Sequence, residues 1–437
     1  MVRAEPTLAA PVRGPAVRRR RLVLLIAAAA LVIAVAAYLA DMVAHPRNDS
    51  LTWYDLKVYN DAGQVLLHSP DRLYTWQLHP GIKFTYTPFM GLVFALTSLI
   101  PWVVLRWLMT AASVAAVAGT IWLMLGALGW RGQRRTAGLL GFMAVALWLE
   151  PVQRALHLGQ IEPLLMLLVV WDMCQSDRRW WKGAGVGVAA GIKLVPVVFI
   201  PYLLLSGKRR QAAAACASLA ATVLTGFAFL PYTSFKYWLT GYFLKPGNVG
   251  DVGSLLNQSV LAVLTRADGS VSAATPAYLV LAVVILVLGV TAAALLHRSG
   301  RPVAGWVTCA LTGLLVSPIS WDHHWIWVVP VIVLLADAAV RARGAARWAW
   351  TVAAACVAAV YGDWPYLTGK LMWVPHGLIG FFVGPHPVHE IYYLHGLEEI
   401  SWNLFVLAGL VMFAAALVAA ALAWRAGRRG RRDQAVT

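Results

Sequence analysis

Long apolar runs separated by short charged clusters dominate the chain, and a run of about 20 apolar residues is what one helix needs to cross a bilayer. Setting runs against breaks predicts twelve spans, at about 22–40, 86–100, 103–127, 136–150, 161–175, 184–205, 212–230, 276–297, 303–317, 325–340, 348–362 and 400–424. Four polar stretches interrupt them, at about 41–83, 231–275, 317–325 and 363–399. In the first, "DLKVYNDAGQVLLH" carries Leu56, Tyr59, Gly63 and Leu66 at helical spacing, which predicts a short helix lying along the membrane surface. The predicted fold class is an all-α polytopic membrane protein. It has one transmembrane domain over residues 22–424 between basic tails at 1–21 and 425–437.

Composition agrees. The 437 residues are 60% hydrophobic and 13% charged, against about 25% charged in a soluble protein. A net charge of +17 raises the question of a nucleic-acid partner, which position answers. Eleven of the 36 Lys and Arg lie at the two ends: Arg3, Arg13, Arg18 to Arg21, then Arg425, Arg428, Arg429, Arg431 and Arg432. That is the signature of cytoplasmic flanks, not of nucleic-acid binding. Both termini are predicted cytoplasmic, and the first run exceeds the 7–15 residues of a signal core, which favours an uncleaved anchor. The breaks "GKRRQ", "HRSGRP" and "RARGAAR" place the three later polar stretches outside. Simple alternation would put "RGQRR" (131–135) and "DRRWWK" (177–182) outside too. If residues 84–128 crossed once, and 184–205, interrupted by Lys193, Pro196 and Pro201, crossed as a hairpin, both would return inside with the total unchanged. Cys174, Cys216, Cys309 and Cys356 show no paired spacing, so neither a disulfide framework nor a zinc site is implied.

On this layout the outer face holds twelve of nineteen acidic residues, eight Lys and Arg, and nine of eleven histidines. Asp55, in "WYDLKVY", has the chemistry of a general base or of a helix cap; Asp49, in "RNDSLTW", suits a cap better. "SPISWDHHWIW" sets Asp322, His323 and His324 among tryptophans, a place for hydrogen bonds to a phosphate or for an interfacial belt. Adjacent histidines on a helix point about 100° apart and no HExxH follows, so they read as weak metal ligands. Lys193, inside an apolar run, suits a lipid phosphate or a pairing with Glu162 or Asp172. "EPVQRALHLGQIEP" gathers Glu150, Arg154, His157, Gln160 and Glu162, for which mutual pairing is expected. The loop at 363–399, with Trp364, Trp373, Glu390 and Tyr392, suits sugar stacking or a bilayer interface. No GxxxxGK[ST], GxGxxG or DxD is present, against a cytosolic nucleotide-using enzyme.

"DLKVYNDAGQVLLHSPDRLY" followed by "FTYTPF", "GQ" at 159–160, "KLVP" at 193–196, "NQS" at 257–259 and "SPISWDHHW" at 317–325 together resemble glycosyltransferase family 87. The resemblance implies a GT-C-type fold of about 12 transmembrane helices with a helical first periplasmic loop, and it favours simple alternation of spans. It implies an inverting mannosyltransferase at the periplasmic face of the plasma membrane. Its donor would be polyprenyl-phosphate-mannose and its acceptor a phosphatidylinositol mannoside or lipomannan, joined by an α-1,2 linkage, with no cofactor and no metal. The base role carries onto Asp55 as the acid after the first span. Donor phosphate is expected at His323, His324, Lys193 and Arg266, and sugar or acceptor at Tyr59, Tyr86, Trp321 and Asn257. A lipid or glycolipid flippase, and an arabinofuranosyl or glucosyl transferase, remain as alternatives.

Overall fold

Proline and glycine punctuate this chain where many of its helices start or turn. A computed structural model describes residues 15–44, 51–78, 83–364, 377–380 and 395–436. Asp49 and most of the 363–399 loop, including Tyr366, Trp373, His376, His386, His389, Glu390, Tyr392 and Tyr393, lie outside the described residues. The first ten helices are α1 (Pro15–Ala44), α2 (Tyr54–His68), α3 (Pro88–Thr97), α4 (Trp102–Ala127), α5 (Gly132–Ala146), α6 (Glu150–Leu158), α7 (Glu162–Met173), α8 (Ala184–Ile192), α9 (Phe199–Leu205) and α10 (Arg209–Phe229). They are followed by α11 (Pro231–Ser234), α12 (Val260–Asp268), α13 (Val271–Arg298), α14 (Pro302–Val316), α15 (Val328–Arg341), α16 (Gly344–Val360), α17 (Leu397–Trp402) and α18 (Leu404–Val436). Proline opens α3, α6, α7, α11 and α14, where its missing N–H leaves no intrahelical bond unmade. No β-strand occurs among the described residues; isolated bridges such as Asn257 with Trp321 pin loops together.

Two sets of ties mark the ends of the bundle. At one end Trp130 Nε1 donates to Asp337 Oδ1 (2.7 Å), Arg341 reaches the Leu128 carbonyl, and Lys208 Nζ donates to Asp177 Oδ2 (2.5 Å). Tyr202 and His297 meet at 2.6 Å at the same end. At the other, the Trp53 N–H donates to the His157 carbonyl, Glu150 N–H to Tyr361 and Asp322 N–H to Leu256, each at 2.8 Å. All five internal basic clusters therefore share one end. Residues 84–128 supply a ten-residue α3 and one long helix, α4, while 184–205 turn at Lys193 and return as α9.

Membrane character is plain, but twelve full-length spans are not what the described residues contain. Six helical segments are long and apolar enough to cross, seven if α6 and α7, bent 116° at their junction, count as one. Several other predicted spans are apolar helices of 10–17 residues, among them α3, α14 and α16. Such short helices leave room within the bundle for polar groups to converge below its surface.

Candidate active site

The site begins where α2 enters. Trp53 takes a left-handed conformation (φ 48°), the only non-glycine residue to do so among those described. Strain of that kind persists only where surroundings over-determine it, and here they do. The Trp53 indole packs edge-on against Trp107 with centroids 5.2 Å apart, donates from Nε1 to Thr110 Oγ1 (3.0 Å), and lies under the Arg106 guanidinium. Asp55 follows in the first turn of α2 and does not cap it: the N-cap position is Trp53, and no side chain caps the helix.

Its partner comes from the junction of α6 and α7. Gly159 adopts φ +70°, and a Cβ there would lie 2.7 Å from that of Leu56, so only glycine lets α2 approach this turn. The turn delivers Gln160, whose Nε2 donates to Asp55 Oδ2. Gln160 Oε1 accepts from Tyr59 Oη (2.7 Å) and more weakly from Tyr86 Oη (3.5 Å), and the two hydroxyls lie 3.0 Å apart. Both tyrosines thus fix which way the amide faces, donor toward the carboxylate. Desolvation in the cleft pushes the Asp55 carboxyl above its ordinary value. The charge of His323 pulls back, Glu162 adds to the rise, and the Gln160 hydrogen bond and Arg154 lower it.

A second cluster stands beside the first. Lys193, at the turn after α8, donates from Nζ to Glu162 Oε1 and to His324 Nε2 (2.8 Å), and lies 5.5 Å from the Tyr86 ring centroid. His324 Nε2 is 3.3 Å from Glu162 Oε1. An ammonium only donates, so His324 Nε2 presents its lone pair. The neighbouring His323 donates from Nδ1 to Asp322 Oδ1 (3.0 Å), which also accepts the His323 backbone N–H (2.7 Å). Arg154 Nε faces Asp322 Oδ2 at 3.5 Å. The polar break in "EPVQRALHLGQIEP" is therefore not paired within itself: Gln160 goes to Asp55, Glu162 to Lys193 and His324, and Arg154 to Asp322.

The expected residues divide accordingly. Asp55, Tyr59, Tyr86, Lys193, His323 and His324 are brought together. Asn257 is fully buried and acts as a latch, donating to the Val252 carbonyl (2.9 Å) and accepting the Ser320 N–H (3.0 Å), which holds the "SPISW" turn without facing the cleft. Arg266, expected at the donor phosphate, is buried elsewhere, with Asn403 Oδ1 (2.6 Å) and the carbonyls of Ser254 (2.8 Å) and Asn257 (3.2 Å) as acceptors. Trp321 packs on Gly250 with its ring partly exposed. Glu162, Gln160 and Arg154 were not singled out for the site, although "GQIEP" carried the signal for two of them.

Comparison with known proteins follows this geometry. Residues 84–318 match the profile of glycosyltransferase family 87. The chain is 32% identical over 331 residues, 74% of its length and 75% of the relative's, to a polyprenol-phosphate-mannose-dependent alpha-(1-2)-phosphatidylinositol pentamannoside mannosyltransferase of Mycobacterium tuberculosis. A protein of that description from Mycolicibacterium smegmatis is 31% identical over 73% of this chain and 78% of its own. A Mycobacterium tuberculosis alpha-(1-2)-phosphatidylinositol mannoside mannosyltransferase is 29% identical over 65% of this chain and 67% of its own. No solved structure matches.

Proposed function

The chain belongs to glycosyltransferase family 87, and from that premise we propose that it moves mannose from polyprenyl-phosphate-mannose onto a phosphatidylinositol mannoside or lipomannan, forming an α-1,2 linkage. Family membership sets the flippase alternative aside, and the relatives' descriptions favour mannose over arabinofuranose or glucose. The observation that carries the reading is the juxtaposition of a carboxylate held by Gln160 with an ammonium held by Glu162 and His324.

In the mechanism, the acceptor hydroxyl gives its proton to the Asp55 carboxylate as its oxygen attacks the anomeric carbon. The bond from that carbon to the phosphate oxygen breaks on the opposite side, and its electron pair leaves with the phosphate. A β-linked donor thereby yields an α-linked product. Lys193 has three N–H donors, of which Glu162 and His324 take two. The third is free to meet the departing phosphate, where a fixed charge is worth most. His324 and Glu162 hold that ammonium, and no metal is needed for the step. Tyr59 and Tyr86 wall the acceptor side, and Trp321 offers a partly exposed ring to a sugar face.

The site faces outward in this reading. All internal basic clusters gather at the opposite end of the bundle, as the positive-inside rule requires of a cytoplasmic face. Arg19 to Arg21 precede the apolar part of α1 and Arg425 and Arg428 follow that of α18, which supports cytoplasmic termini. α10 rises about 31 Å from Arg209, and α8 runs beside it, with Ala184 accepting from Ser218 and Gly191 against Thr222. Lys193 thus lies within the last two turns of α10, at the depth where a lipid phosphate resides.

The test uses purified full-length protein, labelled polyprenyl-phosphate-mannose and a phosphatidylinositol mannoside acceptor. The expected product carries label in a new α-1,2-mannosyl residue. Absence of label in the acceptor, or preference for a polyprenyl-phosphate arabinofuranose, overturns the proposal.

A further inference from the structure

Among the buried polar atoms of the site without a hydrogen-bond partner are Glu162 Oε2 and His323 Nε2. Buried donors and acceptors are rarely left so, and each asks what it is for. Both belong to a trio, Glu162, His323 and His324, whose ligand atoms all lie within 4.8 Å of one another, and all three residues are buried. The trio escapes the sequence because Glu162 arrives from another helix, far from residues 322–327 in the chain. The two imidazole planes stand 86° apart, yet one ring nitrogen of each lies within 4.8 Å of the other and of a Glu162 carboxylate oxygen.

We infer that Glu162, His323 and His324 form a two-histidine, one-carboxylate seat for a divalent transition metal, for which the Lys193 ammonium competes. Four observations carry this. The Lys193 Nζ already sits on two of the three ligand atoms, so the seat is built for a cation. His323 gives its Nδ1 to a fixed acceptor, the Asp322 carboxylate. That is the outer-shell pattern which orients metal-ligating imidazoles and sets their tautomer. The 3.3 Å between His324 Nε2 and Glu162 Oε1 equals the edge of a tetrahedron about 2.0–2.1 Å from a Zn2+ centre. Two imidazoles with one carboxylate select Zn2+ or Co2+ over Mg2+ or Ca2+. When the metal takes the seat, the lysine side chain swings out and its charge leaves the position assigned to donor phosphate. The metal is then an inhibitor of transfer, a consequence that rests on the proposed function.

Binding is tested without donor or acceptor, on full-length, tag-free protein stripped with chelator and titrated with Co2+. The expected result is visible absorption of tetrahedral Co2+ that Zn2+ abolishes. Lys193→Ala should tighten binding on the order of tenfold, by removing the competing charge. Asp322→Asn should weaken it about 10- to 100-fold while leaving all three ligands in place, and Glu162→Gln should abolish the band. No band in either wild type or Lys193→Ala overturns the inference, as does a band that Glu162→Gln and Asp322→Asn leave unchanged. The gain expected of Lys193→Ala guards against variants that lose binding by failing to fold. Separately, Zn2+ should raise the apparent KM for polyprenyl-phosphate-mannose; metal binding without that inhibition counts against Lys193 as the phosphate partner and leaves the metal seat standing.

Discussion

Replacing Gln160 by leucine isolates one interaction. Gln160 is almost fully buried, with 4% of its surface exposed, and its amide joins Asp55 to Tyr59 and Tyr86. Leucine fills a similar volume, and the tyrosine hydroxyls keep their bond to each other at 3.0 Å. What is lost is the donor to the Asp55 carboxylate. A hydrogen bond to a charged group is worth about 1.5–3 kcal/mol. Gln160 favours the ionised form of Asp55, while desolvation already holds that carboxyl above its ordinary value. Its removal moves the carboxyl further up. A general base works only when ionised, so activity is lost on the acid side: kcat/KM there should fall on the order of 10- to 100-fold while the plateau at higher pH changes little. The assay is mannose transfer across a pH series at subsaturating acceptor, with circular dichroism to confirm the fold. An acid limb that stays in place while the whole profile drops uniformly refutes the reasoning and leaves Gln160 a packing residue.

Three further outcomes follow from the geometry. Lys193→Met should cut kcat about 10²- to 10³-fold and raise the donor KM, with the acceptor KM unchanged in steady-state kinetics; an effect confined to the acceptor contradicts it. Arg266→Ala should lower the melting temperature in detergent without altering the donor KM, because its acceptors are Asn403 and backbone carbonyls. Gly183→Ala should destabilise the protein by on the order of 3 kcal/mol, since a Cβ at φ +108° would lie 2.0 Å from the Gln211 carbonyl oxygen; a melt within a degree of wild type contradicts that.

The positions of the long helices were legible because a bilayer fixes the length of an apolar run. Asp55 was legible as the acid after the first span, and the surface helix over Tyr54–His68 as a 3.6-residue period. What joins these parts was not. Gln160 meets Asp55 across 105 residues and Lys193 meets His324 across 131, pairings that no local spacing encodes. Nor does any local spacing join Glu162 to His323 and His324, which come together from separate elements. The spans read as full-length at 86–100 and 184–205 proved short: α3 runs only from Pro88 to Thr97, and 184–205 breaks at the extended Lys193, ahead of the 3-10 turn that holds Pro196. Arg266 misled because a lone cation near an outer loop looks alike in sequence whether it awaits a phosphate or ties carbonyls together.

The central claim, that Asp55 takes the acceptor's proton, is tested most directly by Asp55→Asn. Asparagine keeps the shape and an acceptor for Gln160 but cannot serve as a base. Single-turnover transfer from labelled polyprenyl-phosphate-mannose should slow by about 10²- to 10⁴-fold, with donor binding and melting temperature close to wild type. Transfer at a rate near wild type by the folded variant contradicts the account.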